Sequence, residues 1–115
     1  IHLMIMKKHG KFEPPHDFEH LRRLADRYIN QGVVMGEGWL IPAEMASLVE
    51  SGVENVISAQ PFGCLPNHIV AKGMARKIKS AYPNANIVAI DYDAGATRVN
   101  QENRIKLMLA NARGV

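Results

Sequence analysis

Residues 55–91 read NVISAQPFGCLPNHIVAKGMARKIKSAYPNANIVAID and contain two short runs rich in valine and isoleucine, separated by a helical pattern. The runs Asn55–Ala59 and Asn86–Asp91 have the length and the β-branched content of buried strands. Between them, the sequence predicts a loop at Gln60–Asn67 and then a helix to Tyr82, whose buried stripe is Val70, Met74, Ile78 and Ala81. A strand, a helix and a second strand in this order predict a parallel sheet with a right-handed crossover.

The residues before this unit predict two more helices. Asp17 is a favourable N-cap, and the apolar residues after it recur at the spacing of a helix of about 13 residues. Those apolar residues are Leu21, Leu24, Ala25, Tyr28 and Ile29. Pro42 suits the first turn of a second helix, which ends at Gly52 and buries Ile41, Met45, Leu48 and Val49.

Three other segments complete the pattern. Ile1–Gly10 favours helix by its Met, Leu and Lys content, although its apolar run also suits a buried strand. Val33–Met35 suits a brief strand. A last helix begins at Thr97 or Asn100 and is predicted to bury Ile105, Met108, Leu109 and Ala112.

The order of these elements predicts the fold class. Alternating strands and helices form an α/β domain, here a small three-layer sandwich in which helices flank a mostly parallel sheet, of the Rossmann-like or flavodoxin-like kind. The 115 residues suffice for a single domain, residues 1–115. Because the sequence begins with Ile1 rather than methionine, we expect it to be an excised fragment or a processed product.

The composition excludes several classes of protein. With 47% hydrophobic and 22% charged residues, the chain resembles an average globular domain rather than a disordered tail, a collagen or a coiled coil. No apolar run approaches the roughly 20 residues of a membrane span, and no signal peptide is visible. A single cysteine excludes an internal disulfide, and together with the lack of an export signal it predicts a reducing cytoplasm.

The charged residues predict solvated helix faces rather than a nucleic-acid interface. The stretch Glu37–Glu54 has no lysine or arginine, whereas a short basic cluster is formed by Lys72, Arg76, Lys77 and Lys79. An excess of 14 basic over 11 acidic residues is small for a stripe that neutralises phosphates. We therefore expect neither a nucleic acid nor a membrane as a partner.

Three loops are expected to meet at one edge of the predicted sheet. The carboxyl ends of parallel strands lie together, and ligands bind there. The loops are Gly36–Trp39, Gln60–His68 and Asp91–Thr97, and they contain the only tryptophan and the only cysteine of the chain. This edge is where a functional site is expected.

Cys64 has the most reactive side chain in these loops. It lies between a predicted strand and a predicted helix, where unpaired N–H groups and the helix dipole favour the thiolate that attacks electrophiles or binds metals. Gly63 permits close backbone approach, and Pro61 and Pro66 stiffen the loop. The alternative is a small buried cysteine with a packing role.

His68 and the aspartates of the last loop also have two interpretations each. His68 suits a ligand-orienting group or a base, but also a cap of the helix start, and a catalytic pair with Cys64 lacks an identifiable orienting group. Asp91 and Asp93 suit a turn or a capping pair. They also resemble the D-x-D motif of haloacid-dehalogenase-like phosphotransferases, from which Gly95 departs.

Two further patterns stop short of a recognisable site. His16 and His20 lie one helical turn apart, a spacing that can hold a metal, but no signature completes the set. Gly36-x-Gly38 lacks the third glycine of a dinucleotide-binding fingerprint, because position 41 is isoleucine.

Three runs of the chain carry a resemblance to a known family. They are GEGWLIPAEM (Gly36–Met45), QPFGCLPNHIVAKGM (Gln60–Met74) and IVAIDYDAGATRVNQENRIKLML (Ile87–Leu109). These runs look like the C-terminal region of CoA-substrate-specific enzyme activases, large bacterial proteins related to the activase of 2-hydroxyacyl-CoA dehydratases. The run around the cysteine is the most specific of the three.

The resemblance implies a protein that combines actin-like ATPase modules with a dehydratase-like part. Such a protein uses ATP hydrolysis to deliver an electron at very low potential, and cysteines of successive α/β domains hold a [4Fe-4S] cluster. Carried over to this chain, Cys64 is one cluster ligand, and Gly63, Pro66 and His68 shape its surroundings. ATP would bind only to other domains. The implied partners are the upstream domains of the same polypeptide, and a dehydratase or an acyl-CoA substrate.

The isolated chain is expected to have neither ATPase nor dehydratase activity. The resemblance places the ATPase site in other domains, and one cysteine cannot hold a cluster. Two alternatives stay open. The chain could be a structural or docking module whose cysteine is buried and inert, or a free-standing cysteine-dependent enzyme that uses Cys64 and His68.

Overall fold

Helices and strands alternate in the second half of the chain, as predicted. The computed structural model describes residues 5–6, 8, 10–11, 14–95 and 97–112. In order, these residues contain helix α1 (Phe18–Ala25), helix α2 (Leu40–Glu50), strand β1 (Asn55–Pro61), a π-helix (Asn67–Ala71) that continues as helix α3 (Lys72–Ala81), strand β2 (Asn86–Tyr92) and helix α4 (Arg98–Ala112). The predicted α/β class is confirmed.

The two strands form a parallel sheet in which Val56 pairs with Ile87 and Gln60 pairs with Asp91. Val56 and Ile87 are buried in the main core together with residues of α1, α2 and α3. Ile90 follows Ile87 by three positions, so its side chain lies on the opposite face, where α4 packs on β2 and leaves Ile90 only 1% exposed. Helices therefore cover both faces of β2.

Strand β1 is covered on one face only. Its alternate residues Val56, Ser58 and Gln60 are buried, whereas Ile57 on the other face is 46% exposed. In the part of the chain that the structure describes, the three-layer arrangement is therefore complete over β2 and open over β1.

The predicted caps are confirmed. The Asp17 carboxylate accepts a backbone N–H of the first turn of α1 at 3.0 Å, and this hydrogen bond lowers the pKa of Asp17. Pro42 lies in the first turn of α2, and Gly52, with φ of 94°, comes two residues after Glu50, where the helix ends. Thr97 directly precedes α4, and its backbone carbonyl accepts the N–H of Asn100 at 3.2 Å.

Helix α1 has the predicted buried face but is shorter than predicted. Leu21, Leu24, Ala25 and Tyr28 are buried, yet the regular helix ends at Ala25. The N–H groups of Arg27 and Tyr28 then bond to carbonyls three residues back, which is the tighter turn common at helix ends. The tighter turn keeps Tyr28 in the core.

Some residues predicted to be buried are exposed. Leu48 and Leu109 are 43% and 49% exposed, and Ala81 and Ala112 lie at the surface. Ala81 is the last residue of α3, beyond the turn of this helix that packs into the core through Ile78. Leu109 and Ala112 are exposed because α4 buries only Met108, and a sheet of two strands is too narrow to cover the rest of its apolar face.

The predicted brief strand at Val33–Met35 is wrong. The N–H of Trp39 donates to the carbonyl of Val33 at 2.9 Å, and the N–H of Gly38 donates to that of Met35 at 3.0 Å. These bonds close the segment into turns, so it has no extended backbone to offer a neighbouring strand.

At the N-terminus, the described residues Ile5, Met6 and Lys8 are helical, as predicted. Gly10 ends this segment with φ of 60°, and its N–H donates to the Met6 carbonyl at 3.1 Å. The rest of Ile1–Gly10 lies outside the described residues, apart from Gly10 itself. No helix within the described ranges is long and apolar enough to cross a membrane.

Candidate functional site

Asp91 is the centre of a polar network at the carboxyl ends of the two strands. It pairs in register with Gln60, whose side-chain N–H donates to Asp91 Oδ1. The Nζ of Lys72, in the first turn of α3, lies 3.2 and 3.0 Å from the two carboxylate oxygens. Gln60 is 1% exposed, and its Oε1 has no hydrogen-bond partner among the described residues. The network ties both strand ends to the helix that connects them.

The neighbours of Asp91 favour its charged form. Partial burial raises the pKa of Asp91, but hydrogen bonds from Gln60 and Lys72 and the positive charges beside it lower the pKa by more. The pKa of Asp91 therefore lies below its ordinary value of 3.8. At neutral pH the network contains a carboxylate paired with an ammonium group.

His68 joins the same network through its ring. Its Nε2 lies 3.1 Å from the backbone nitrogen of Gly63 and 3.6 Å from Asp91 Oδ1, and its Nδ1 lies 3.3 Å from Lys72 Nζ. A backbone N–H can only donate, so Nε2 accepts and the proton of the neutral ring is on Nδ1. The contact of Nδ1 with Lys72 then joins two donors and is not a hydrogen bond. His68 thus holds the cysteine loop through the Gly63 N–H, and its ring lies beside the Asp91–Lys72 pair.

Cys64 lies in the loop between β1 and the following helix, as predicted. Its N–H donates to the carbonyl of Pro61 at 3.2 Å, and helical backbone begins at the next residue. The side chain is partly exposed, and its Sγ accepts an N–H of the Asn67 side chain at 3.0 Å. The thiol therefore combines partial exposure, a hydrogen-bond donor and the start of a helix.

The backbone beside the thiol is open on one side. Gly63 has φ of 77°, a left-handed conformation that favours glycine, and its neighbours in the chain apart, no described residue has an atom within 4 Å of the place where a Cβ would be. A side chain at this position would be strained, and it would also fill the open space. A bulky group can therefore approach the loop from this side.

The cysteine loop, Gln60–His68, contacts both of the other predicted loops. A Cβ on Gly36 would lie 3.0 Å from Pro66, so the first loop packs against the cysteine loop. The cysteine loop in turn reaches Asp91 through His68. Trp39 points elsewhere, because its ring packs edge-on against Phe18 with centroids 5.6 Å apart.

The structure does not assemble the catalytic pair or the metal site weighed above. Among the described residues, the hydrogen-bond partner of the Cys64 thiol is Asn67 and not the His68 ring. His16 stacks on His20 with centroids 4.9 Å apart, and its Nδ1 lies 2.6 Å from the hydroxyl of Ser47. No group of three or more His, Cys, Asp or Glu within the described ranges could hold a metal ion.

Sequence reasoning missed three residues of the candidate site, namely Gln60 and Lys72 beside Asp91 and Asn67 beside Cys64. Two of them had a usable signal, because residues three or four apart on a helix face each other. Asn67 follows Cys64 by three positions, and Lys72 follows His68 by four. The basic cluster in the sequence includes Lys72, but it does not indicate that Lys72 pairs with Asp91.

A cavity of about 680 Å³ opens beside the network, between the end of β2 and α4. Its polar lining includes Asp91, Asp93, Asn100 and Arg104, and the exposed ring of Phe62 forms part of its apolar lining. The cavity places further polar groups at the sheet edge where a site was expected.

Comparison of the chain with protein-family models, with curated proteins and with solved structures finds no match. The function proposed below therefore depends on the sequence runs quoted above and on the geometry of the Cys64 loop.

Replacing Asp91 with asparagine should remove part of the pH dependence of stability. The pKa of Asp91 is lower in the folded chain than its ordinary value, so its charge stabilises the fold above pH 3.8. This contribution is lost as the pH falls through the folded-state pKa. The difference in free energy of unfolding between wild type and Asp91→Asn should be constant above about pH 5 and shrink in acid, as measured by urea denaturation at stepped pH.

Asp93→Asn is the matched control, because that exposed carboxylate lies two residues further on in the same loop. It should leave both the stability and its pH profile close to those of the wild type. A stability difference for Asp91→Asn that stays constant down to acid pH would contradict the assigned role of Asp91.

Proposed function

We propose that this chain is the C-terminal α/β domain of a CoA-substrate-specific enzyme activase related to the 2-hydroxyacyl-CoA dehydratase system. In this proposal Cys64 supplies one thiolate to a [4Fe-4S] cluster shared with upstream domains of the same polypeptide, in the cytoplasm. The observation that supports it is the partly exposed Cys64 thiol, which lies at a helix start and accepts a hydrogen bond from Asn67.

The donor set fits one ligand of a cluster and no more. A [4Fe-4S] cluster takes four thiolates, and this chain has one cysteine. The described residues contain no metal-binding group of three or more side chains, so the other ligands must come from other domains. When bound, the cluster would supply electron transfer at low potential, while ATP would be hydrolysed elsewhere in the protein.

The residues around Cys64 have separate tasks in this proposal. The Asn67 amide donates a hydrogen bond to the sulfur. Gly63 leaves open space for a bulky group beside the loop. His68 holds the loop through the Gly63 N–H, at 3.1 Å, and Pro66 packs against Gly36. These contacts keep the sulfur in one position.

Cys64→Ser in the full-length parent should abolish or strongly reduce cluster assembly. Serine cannot supply the thiolate that iron–sulfur clusters bind, and no second cysteine in this chain can replace it. Iron content and visible absorbance after anaerobic reconstitution measure the effect. Leu65→Ser is the matched control, because Leu65 is the next residue, is 48% exposed and should be replaceable without loss of iron.

Asn67→Ala in the same protein distinguishes residues that bind the cluster from residues that adjust its reduction potential. It removes the hydrogen bond to the sulfur but keeps the thiolate, so iron content should be retained and the reduction potential should become more negative. If Cys64→Ser retained the iron content and absorbance of the wild type, the cluster proposal would be wrong.

The second candidate is a structural or docking module whose cysteine is inert. The observation that favours it is that Cys64 is only partly exposed, with its sulfur already engaged by Asn67. Thiol labelling of the native chain distinguishes the two. Labelling that is rapid without denaturant supports an accessible ligand, whereas labelling that requires denaturant supports the inert role.

A further inference from the structure

The hydrogen-bonding direction of β1 shows which of its backbone groups are unpaired. The carbonyl of Glu54 accepts the N–H of Asn86, and the N–H of Phe62 donates to the carbonyl of Tyr92. Even-numbered residues of β1 therefore point their backbone groups towards β2, because pairing in a parallel ladder alternates along a strand. The N–H and C=O groups of Ile57 and Ala59 point to the opposite edge.

That opposite edge has no neighbouring strand among the described residues, since the sheet contains β1 and β2 only. Within the described ranges, the backbone groups of Ile57 and Ala59 form no bond to a turn or loop either. Two donors and two acceptors are thus presented in a row at the edge of an apolar strand. Such a row is a template for an added strand.

A groove of about 370 Å³ runs along this edge. The consecutive residues Val56, Ile57, Ser58 and Ala59 all line it, which places it along the backbone rather than on one face of the sheet. The opposite wall is one side of α2 and the turn before it, formed by Glu37, Ile41, Glu44, Met45 and Leu48. The groove therefore joins unpaired backbone groups to an apolar wall.

The groove is also acidic. Glu37 and Glu44 both lie on its wall, and the stretch Glu37–Glu54 contains no lysine or arginine to balance them. A second copy of this chain would bring the same carboxylates against themselves. An occupant with lysine or arginine side chains would instead complement the charge.

We propose that the edge of β1 binds an extended basic segment of a partner polypeptide, which adds to the sheet as a third strand. The partner's backbone would bond to Ile57 and Ala59. Its basic side chains on the face towards α2 would pair with Glu37 and Glu44 and lay their methylene stems against Leu48. Strand addition of this kind obtains affinity from the main chain and specificity from alternate side chains. This inference does not depend on the cluster proposal.

Titration of the isotope-labelled chain with a capped peptide of alternating lysine and valine tests the proposal. Saturable amide shifts should map to β1 and α2. Hydrogen exchange should slow at the outward amides of Ile57 and Ala59. Exchange should stay unchanged at Val56 and Ser58, whose amides already point to β2. A peptide methylated at alternate backbone nitrogens should bind at least about tenfold more weakly, because it cannot complete the ladder.

Charge-reversal variants test the specificity. The double variant Glu37→Lys with Glu44→Lys should weaken binding of the basic peptide about tenfold, and should favour a matched peptide with glutamate in place of lysine. Glu54→Lys is the control, because Glu54 belongs to the same acidic stretch but does not line the groove. All of these side chains are exposed, so the variants should fold.

Four results would overturn the proposal. One is the lack of saturable binding of the basic peptide at millimolar concentration. Another is equal binding of the basic and acidic peptides by the wild type, and a third is binding without protection of Ile57 and Ala59. The fourth is concentration-dependent protection of these amides without peptide, which would assign the edge to a second copy of the chain.

Discussion

Gly38→Ala should lower the free energy of unfolding by about 2–4 kcal/mol. Gly38 is buried and has φ of 38°, and a Cβ added to it would lie 2.0 Å from the carbonyl oxygen of Val33. That oxygen accepts the N–H of Trp39 at 2.9 Å. To relieve the overlap the turn must open, which breaks this bond and moves Trp39 away from Phe18.

Gly73→Ala is the matched control for this substitution. Gly73 lies within helix α3, has no atom within 4 Å of its missing Cβ, and is exposed. Alanine there should stabilise the chain by about 0.5–1 kcal/mol, since glycine is the poorer helix former. Urea denaturation of both variants measures the contrast, and a Gly38→Ala variant as stable as the wild type would show that the turn before α2 is not as described.

Ile78→Ala should destabilise the chain by about 2–5 kcal/mol. Ile78 is fully buried and belongs to the core cluster that joins the helices to Val56 and Ile87. Truncation removes apolar contacts from helices and strands together and leaves a cavity that the neighbours fill only in part. Because a domain of this size is stable by about 5–15 kcal/mol, the variant is expected to be partly unfolded at moderate temperature.

Ile69→Ala is the control for the core variant. It removes the same atoms from the same helical stretch, but Ile69 is 58% exposed, so the change in stability should stay within about 0.5 kcal/mol. Circular dichroism during urea denaturation compares the two. Equal losses for Ile69→Ala and Ile78→Ala would contradict the assigned packing of this helix.

Local patterns predicted the elements of the second half because each depends on residues close in sequence. Both strands contain β-branched runs, and Pro66 and Pro83 mark the start and the end of the helix between them. The boundaries were less predictable: β1 continues to Pro61 because Gln60 gains a partner in Asp91 of the other strand. No spacing rule predicted the π-helix at Asn67–Ala71.

The candidate site was predictable only where it depends on residues close in sequence. A cysteine between a strand and a helix is visible in the sequence, and the structure places Cys64 in that position. Its hydrogen bond from Asn67 follows from helical spacing once the helix start is known. The partners of Asp91 were not predictable, because Gln60 and Lys72 reach it only after the strands pair and the helix packs.

The amino-acid sequence alone determined the α/β class, the helix caps and the position of Cys64, since these depend on contacts within a few residues. Packing determined the rest. It buried Gln60 against Asp91, left Leu48 and Ile57 exposed along an acidic groove, and left the outer edge of β1 unpaired among the described residues. These features depend on groups tens of residues apart, and only the folded chain brings them within the few ångströms over which hydrogen bonds and apolar contacts act.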